Sequence, residues 1–187
     1  MPATRRTRAD ALRNRQLALE AATALLARPG GGPLTVEAIA AHAGLGAATV
    51  VRAFGGKDAL LDAAVSGLLE PLVRRARDLL AQTGPHQALR VFLGELIAFQ
   101  ASHYPINDQL GGRDLPATTK LRADLEAAMA EMIDGARQAG AIRADLDPDV
   151  ISALIRHTAP ALARADPPQD VIDAYLTVLF DGLASNS

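Results

Sequence analysis

The stretch HAGLGAATVVRAFGGKDALL, residues 42–61, places one short apolar segment between two glycine-containing breaks. Gly44 and Gly46 predict a tight turn, and Gly55-Gly56 interrupts the chain again. The segment between them, residues 47–54, is long enough for two turns of helix. The stretch therefore predicts a turn, a short helix and a second break before the next helix begins at Lys57.

The residues just upstream predict another short helix. Thr35 is a suitable N-cap, and Glu37 in the first turn complements the helix dipole. Val36, Ile39 and Ala40 lie on one face. Two short helices joined by a tight turn have the outline of a helix-turn-helix, whose second helix enters the major groove of DNA.

The rest of the chain has helical spacing, and no stretch alternates like a strand over more than a few residues. We therefore predict an all-α fold of about nine helices, with a three-helix head over residues 1–56 and a helical bundle over 57–187. The head begins with a long first helix. In the bundle, two Asp-Pro pairs predict where the last two helices begin. The expected helices span 10–28, 35–44, 47–54, 57–83, 85–103, a short turn at 106–110, 116–139, and two helices opened by Asp147-Pro148 and Asp166-Pro167.

Pro71 lies inside the predicted helix 57–83. A proline there removes a backbone hydrogen bond and clashes with the carbonyl group four residues earlier, which belongs to Gly67. The pair predicts either a hinge or a helix that ends and restarts.

The last two helices are apolar over much of their circumference, which indicates burial. We expect a subunit interface there, and a purely internal core is the alternative. The residues predicted for the interface are Ile151, Leu154, Ile155, Tyr175, Leu176 and Leu179.

Composition excludes several classes of protein. The chain has 187 residues, 49% of them hydrophobic, and no cysteine, so disulfides and thiolate metal sites are excluded. The basic N-terminus lacks the apolar region of a secretory signal, and no apolar run reaches the roughly 18 residues of a membrane span. We expect a cytoplasmic protein with no membrane contact.

Charge is unevenly distributed. Residues 1–60 contain eight Lys and Arg against four Asp and Glu, whereas the net charge of the whole chain is −2. A basic head on an acidic body suggests that the head meets a polyanion, and a solubilising tail is the alternative.

No catalytic or metal-binding pattern is visible. The four histidines are scattered, with no pair at helical spacing and no accompanying carboxylate cluster. Neither a nucleophilic triad motif nor a glycine-rich phosphate loop is present. We predict no enzyme activity, no metal and no cofactor.

Several quoted segments together resemble the TetR family of bacterial transcriptional regulators. They are ALEAATALLA (18–27), Gly30, LTVEAIAAHAGL (34–45), Thr49, Phe54, KDALLDAAV (57–65) and, later, AGAIRADLDPDV (139–150). The resemblance implies a homodimer that binds a palindromic operator in double-stranded DNA and is released by an unidentified small-molecule effector.

The chain departs from the family in the second short helix. It has Gly46-Ala47-Ala48 where the family often has Ser-Lys-Gly, and Val50-Val51 where the family usually has Leu-Tyr. The resemblance makes that tyrosine a phosphate contact, which Val51 lacks.

If Val50 and Phe54 face inward, then Ala48, Val51 and Arg52 face outward. Arginine can read guanine, the apolar side chains can contact thymine methyl groups, and helix N-termini can bind phosphates. A basic arm could follow the backbone or the minor groove. The predicted DNA-binding residues are Arg6, Arg8, Thr35, Ala47, Ala48, Thr49, Val51, Arg52 and Lys57.

The effector site is expected between the fourth and eighth helices, as the resemblance implies. Its predicted residues are Phe99, Gln100, His103, Tyr104, Arg113 and His157. Two rival functions stay open: a helical ligand-binding or scaffold protein whose head no longer binds DNA, and a helical enzyme.

Overall fold

The computed structural model describes residues 3–26, 28, 34–103, 113 and 115–185, with side chains from residue 8 onward. These residues form eight α-helices and no strand, which confirms the predicted all-α fold. The predicted turn at 106–110 lies outside the described residues. The helices are α1 (Ala3–Leu26), α2 (Val36–Ala43), α3 (Ala47–Phe54), α4 (Lys57–Gln82), α5 (Pro85–Ser102), α6 (Pro116–Gln138), α7 (Pro148–Arg164) and α8 (Gln169–Leu183).

The chain forms two compact units, Met1–Leu69 with Pro105–Lys120, and Glu70–Tyr104 with Leu121–Ser187. The boundary between the units on α4 therefore follows Leu69, whereas the sequence placed a domain boundary after residue 56. The boundary after residue 56 stays a prediction about which part of the chain folds by itself.

The core of the first unit joins α1, α2, α3 and the start of α4. Contacts link each pair among α1, α2 and α3. One buried face of α4 follows the heptad-like spacing of its leucines and alanines. The buried apolar residues include Ala18, Ala22, Leu26, Ile39, Ala40, Val50, Phe54, Leu60, Leu61 and Ala64.

In the second unit α5 is the central helix and packs against α7 and α8. Five residues of α5 are buried because they recur at helical spacing on one face: Ala88, Leu89, Phe92, Leu93 and Ile97. An isolated antiparallel β-bridge joins Ile142 to Ala184, and the backbone N–H of Arg143 donates to the carbonyl oxygen of Leu183 at 2.9 Å.

Helix α4 continues through Pro71 without interruption. The alternative in which the helix ends and restarts is therefore wrong. Proline needs only the loss of one hydrogen bond and room near the carbonyl group of the residue four positions earlier. That residue is Gly67, the residue type with the most adaptable backbone.

Two predicted helix starts were wrong. Helix α1 begins at Ala3 rather than Asp10, because Ala3, Arg5 and Arg6 favour a helix and no glycine or proline intervenes. Helix α8 begins at Gln169 rather than at Pro167. Pro167 precedes Pro168, and a residue before proline is disfavoured in helical conformation.

Candidate DNA interface and effector-binding residues

The turn between α2 and α3 is built on Gly44. This residue ends α2 in the left-handed region, with φ of 65°, and its N–H bonds the carbonyl oxygens of Ala40 and Ala41. The N–H of Leu45 donates to the Ala40 carbonyl oxygen at 2.9 Å. Glycine adopts this conformation without steric cost, so Gly44 allows the chain to turn directly from α2 into α3.

Helix α3 presents one face to the core and the opposite face to solvent. Val50 is 1% exposed and Phe54 is 8% exposed, whereas Val51 is 42% exposed. Ala48 and Arg52 are also exposed, and Ala47 and Thr49 are half-buried at the flanks. The predicted orientation of α3 is confirmed, and contact of its outer face with DNA stays a prediction.

The outer face carries few polar groups. Arg52 Nη2 donates to Thr49 Oγ1 at 3.4 Å, so this arginine folds back along its own helix. The contact joins exposed side chains and is long for a hydrogen bond, so it is readily exchanged for another acceptor.

The two helix starts predicted for phosphate contact differ in their geometry. Thr35 caps α2, because its Oγ1 accepts from the backbone N–H of Ala38 at 3.1 Å, and it keeps a hydroxyl proton to donate. Lys57 is the first residue of α4 and is half-buried.

The predicted basic arm is part of a helix. Arg6 and Arg8 both belong to α1, so the basic segment is helical, and its contact with the DNA backbone or the minor groove stays a prediction. Arg8 is exposed, and the side chain of Arg6 lies outside the described part of the chain.

Of the predicted effector residues, the structure brings together Phe99, Gln100 and His103 at the C-terminal end of α5. The rings of Phe99 and His103 stack with centroids 4.3 Å apart, and His103 Nδ1 lies 2.8 Å from the Phe99 carbonyl oxygen. Gln100 Oε1 is buried and has no hydrogen-bond partner among the described residues. This short segment thus carries two stacked rings, Phe99 and His103, and a buried acceptor, Gln100 Oε1, that has no partner among the described residues.

The other predicted effector residues lie elsewhere. Arg113 belongs to the first unit, where its Nη1 donates to Asp58 Oδ1 at 2.5 Å. His157 is exposed on α7. Tyr104 lies outside the described residues.

A groove of about 350 Å³ runs between α5 and α8, and none of the predicted effector residues lines it. Its charged groups already have partners within the unit. Arg90 donates to Thr177 Oγ1 at 3.2 Å, and Glu95 accepts two hydrogen bonds from Arg75 Nε and one from its Nη2.

The residues predicted for the subunit interface separate into two groups. Ile151, Ile155, Leu176 and Leu179 are buried within the subunit's own core. Leu154 is 44% exposed, and Tyr175 is half-buried with its hydroxyl 2.6 Å from Thr158 Oγ1. The predicted interface residues therefore lie on both the inner and the outer faces of α7 and α8.

Exposed apolar residues on the outer faces were missed. Val150 is exposed on α7, four residues before Leu154, and Val171 and Val178 are exposed on α8. Each set follows one helical face at spacings of four and seven. That spacing is visible in the sequence. Because both helices are apolar over most of their circumference, the spacing alone does not indicate which face is buried.

Among the described residues, no group of three His, Asp or Glu side chains is arranged to hold a metal ion. Within the same residues, no helix has both the length and the apolar character needed to span a membrane.

Comparison with known proteins identifies both parts of the chain. Residues 18–64 match the family described as bacterial regulatory proteins, tetR family, and residues 84–185 match the family described as transcriptional regulator SbtR-like, C-terminal domain. No curated protein matches the chain.

Solved structures resemble the chain over nearly its full length. A TetR transcription regulatory protein from Mycobacterium vanbaalenii is 36% identical, with a TM-score of 0.65, and the match covers 95% of this chain and 99% of that one. The regulator SCO0520 from Streptomyces coelicolor is 27% identical, with a TM-score of 0.65 and coverage of 92% and 99%.

FadR from Bacillus subtilis, solved in complex with stearoyl-CoA, is 15% identical, with a TM-score of 0.71 and coverage of 90% and 98%, and at that identity it supports the fold alone. The chain belongs to the TetR family of bacterial transcriptional regulators, with an N-terminal helix-turn-helix DNA-binding domain and a C-terminal ligand-binding domain.

Proposed function

We propose that this protein is a repressor that binds a palindromic operator as a homodimer and is released by a small molecule. The observation that carries the proposal is the outer face of α3, where Ala48, Val51 and Arg52 are exposed opposite buried Val50 and Phe54. Membership of the family implies a regulator rather than an enzyme.

The outer face of α3 supports DNA recognition that uses few direct contacts with bases. Arg52 can bond the O6 and N7 atoms of guanine, and the methyl groups of Ala47, Ala48 and Val51 can pack against thymine methyl groups. Thr35, Thr49 and Lys57 supply phosphate contacts, with Arg8 on α1 as a further cation. We expect phosphate contacts and DNA shape to carry a large share of the affinity.

The first experiment selects bound duplexes from a random pool with the purified protein. We expect a palindrome, and the affinity for it should fall steeply as salt rises, because phosphate contacts release counterions. No bound duplex at low salt, or a flat salt response, would favour the scaffold function over the repressor.

Arg52 is then tested on the selected duplex. Arg52→Ala should weaken binding by about 1 kcal/mol or more, the contribution of one bidentate pair with guanine. Arg74→Ala is the matched control, since Arg74 is exposed on α4 in the second unit. Unchanged affinity and sequence preference in the Arg52 variant would remove this residue from base reading.

The outer faces of α7 and α8 support homodimerisation. Val150, Leu154, Val171 and Val178 form exposed apolar surface on two helices of the same unit. Exposed large apolar side chains that recur along one helix face commonly mark a protein–protein contact. His157, also exposed on α7 and three residues after Leu154, then belongs to this surface rather than to an effector site.

The C-terminal end of α5 supports an effector that carries a hydrogen-bond donor. Buried polar atoms are nearly always hydrogen-bonded, and Gln100 Oε1 has no partner among the described residues, so it has acceptor capacity that a ligand can use on the turn of α5 that also carries Phe99 and His103. The test is a thermal-shift screen of small molecules with Gln100→Leu as the comparison. A hit that stabilises both proteins equally would contradict the role of Gln100.

Repression itself is tested in a reporter strain with the selected operator placed across a promoter. Expression should fall when the protein is present, and a rise would identify an activator.

A further inference from the structure

We propose that Arg15 on α1 holds the recognition helix α3 in its reading position and does not itself contact DNA. The proposal rests on the proposed DNA-binding function, and it assigns a role to a residue that lies before the matched range 18–64.

Arg15 makes two contacts with the C-terminal end of α3. Its Nη1 donates a hydrogen bond to the carbonyl oxygen of Ala53 at 2.5 Å. Its Cζ atom lies 4.1 Å from the centroid of the Phe54 ring. The guanidinium group of Arg15 thus contacts both the backbone and the last side chain of α3, although Ala53 lies 38 positions further along the chain.

The position of this contact on α3 is favourable for two physical reasons. The last four carbonyl groups of a helix lack partners within the helix, and Ala53 supplies one of them. A cation at this end also complements the negative end of the helix dipole. The stacked guanidinium adds an attraction to the face of the aromatic ring.

Helix α3 is short, so its position depends on its contacts with other helices. It has eight residues, and helices shorter than about 12 residues are marginal on their own. Its N-cap is Gly46, which provides no side-chain hydrogen bond, and its buried side chains are Val50 and Phe54. Because methyl contacts to bases depend on close packing, a small shift of α3 would lose them.

The side chain of Arg15 is exposed, so a phosphate contact is the rival role that the experiment has to separate from the positioning role. One edge of its guanidinium faces a backbone carbonyl and one face covers a phenyl ring. Arg13 on the same helix is exposed and offers a matched arginine for comparison. The variants are therefore Arg15→Ala, Arg15→Lys and, as the control, Arg13→Ala.

The first readout needs no DNA. Amide hydrogen exchange of residues 51–54 should become roughly tenfold faster in both Arg15 variants, the effect of losing one hydrogen bond from a charged donor. Lysine should not restore the wild-type rate, because an ammonium group cannot reproduce the planar stacked fork. Exchange in α2 should be unchanged in all variants, and unchanged exchange in α3 would overturn the proposal.

The second readout is binding of the selected duplex at several salt concentrations. Both Arg15 variants should lose affinity about tenfold, while the slope of log affinity against log salt stays that of the wild type, since no phosphate contact is lost. Binding to a scrambled duplex should be unchanged.

Three further outcomes contradict the proposal. A slope lower by about 0.9 in Arg15→Ala, restored by Arg15→Lys, would identify a phosphate contact instead. Faster exchange with unchanged affinity would identify a purely stabilising contact. Equal effects in Arg13→Ala would show that any lost charge suffices. If the wild type selects no duplex, the proposed function fails, and the exchange rates alone decide whether Arg15 holds α3.

Discussion

The carboxylate of Asp62 on α4 accepts two hydrogen bonds from Thr118 on α6, one from the backbone N–H and one from the hydroxyl, both at 2.8 Å. Its second oxygen accepts from the backbone N–H of Ala117 at 3.0 Å. Helix α6 begins at Pro116, which has no N–H, after Leu115, whose side chain cannot cap. A residue of a different helix therefore caps α6, within the first unit.

Loss of this cap should destabilise the first unit. Asp62→Ala leaves the hydroxyl group of Thr118, a residue that is 2% exposed, and two backbone N–H groups without their acceptor. We expect a loss of about 1–3 kcal/mol in the free energy of unfolding, measured with urea. Asp58→Ala is the control, because Asp58 makes an exposed ion pair with Arg113 worth at most about 1 kcal/mol. Equal losses in the two variants would contradict the capping role.

The cap also predicts a pH dependence of stability. Burial alone would raise the pKa of Asp62, but the hydrogen bonds from Thr118 and Ala117 outweigh it and hold the pKa below 3.8. Because the folded pKa is depressed, the stabilisation is complete above pH 3.8 and is lost as pH falls through the folded value.

The urea midpoints of wild type and Asp62→Asn, measured from pH 7 to pH 3, check this sign. Their difference should stay constant down to about pH 4 and then shrink, since only the wild type has the carboxylate to protonate. A difference that grows on acidification would contradict a depressed pKa for Asp62.

The two short helices of the helix-turn-helix and the turn between them were predictable because their signals are local. A glycine after α2, a good N-cap at Thr35 and the apolar spacing of Val50 and Phe54 lie within a few residues of the structure they determine. The cap from Asp62 was not predictable. A capping side chain normally lies within one turn of the helix start that it caps, whereas Asp62 and Thr118 are 56 positions apart.

The inner and outer faces of α7 were equally hidden from the sequence. Ile151 and Leu154 are chemically alike, yet only Ile151 is buried. Which one turns inward depends on where α5 lies, and that is a tertiary property. Arg15 shows the same limit, because a basic N-terminal segment gave no sign that one arginine binds the end of α3.

Disruption of the outer apolar face should convert a dimer into a monomer. Leu154→Asp combined with Val178→Asp places two charges on surface that a partner subunit would desolvate. Light scattering should give the mass of one chain, 19.5 kDa, without loss of helical content by circular dichroism. Leu12→Asp is the control, since Leu12 is 63% exposed on α1 and should leave the mass of the dimer unchanged. A monomeric wild type would contradict the proposed homodimer.

Gly135 on α6 should tolerate no side chain. A Cβ built there would lie 2.7 Å from Cγ and 2.8 Å from Cβ of Pro85, whose ring cannot rotate away. Gly135→Ala should therefore lower the free energy of unfolding by about 1–3 kcal/mol through overpacking. Gly182→Ala on α8 meets no atom within 4 Å and should raise stability by about 0.5–1 kcal/mol, because alanine favours the helix. Thermal unfolding of the two variants should move in opposite directions.

The turn before the recognition helix gives the sharpest contrast between two glycines. Gly44 has φ of +65°, and a Cβ there meets no atom within 4 Å, so any cost of Gly44→Ala comes from backbone conformation alone. That cost is about 1–2 kcal/mol for an L-residue in the left-handed region. Gly46 has φ of −78°, which alanine adopts freely, and its Cβ would lie 3.9 Å from Thr49 Oγ1.

Urea unfolding should therefore show a larger loss for Gly44→Ala than for Gly46→Ala, whose cost is only that of alanine at an N-cap. The Gly44 variant should also bind the selected duplex more weakly, because a strained turn relaxes by shifting α3 with its exposed Val51 and Arg52. If Gly46→Ala were the more damaging change, the order of the two turn residues would be reversed, and the left-handed C-cap at Gly44 would not be what directs the chain into α3.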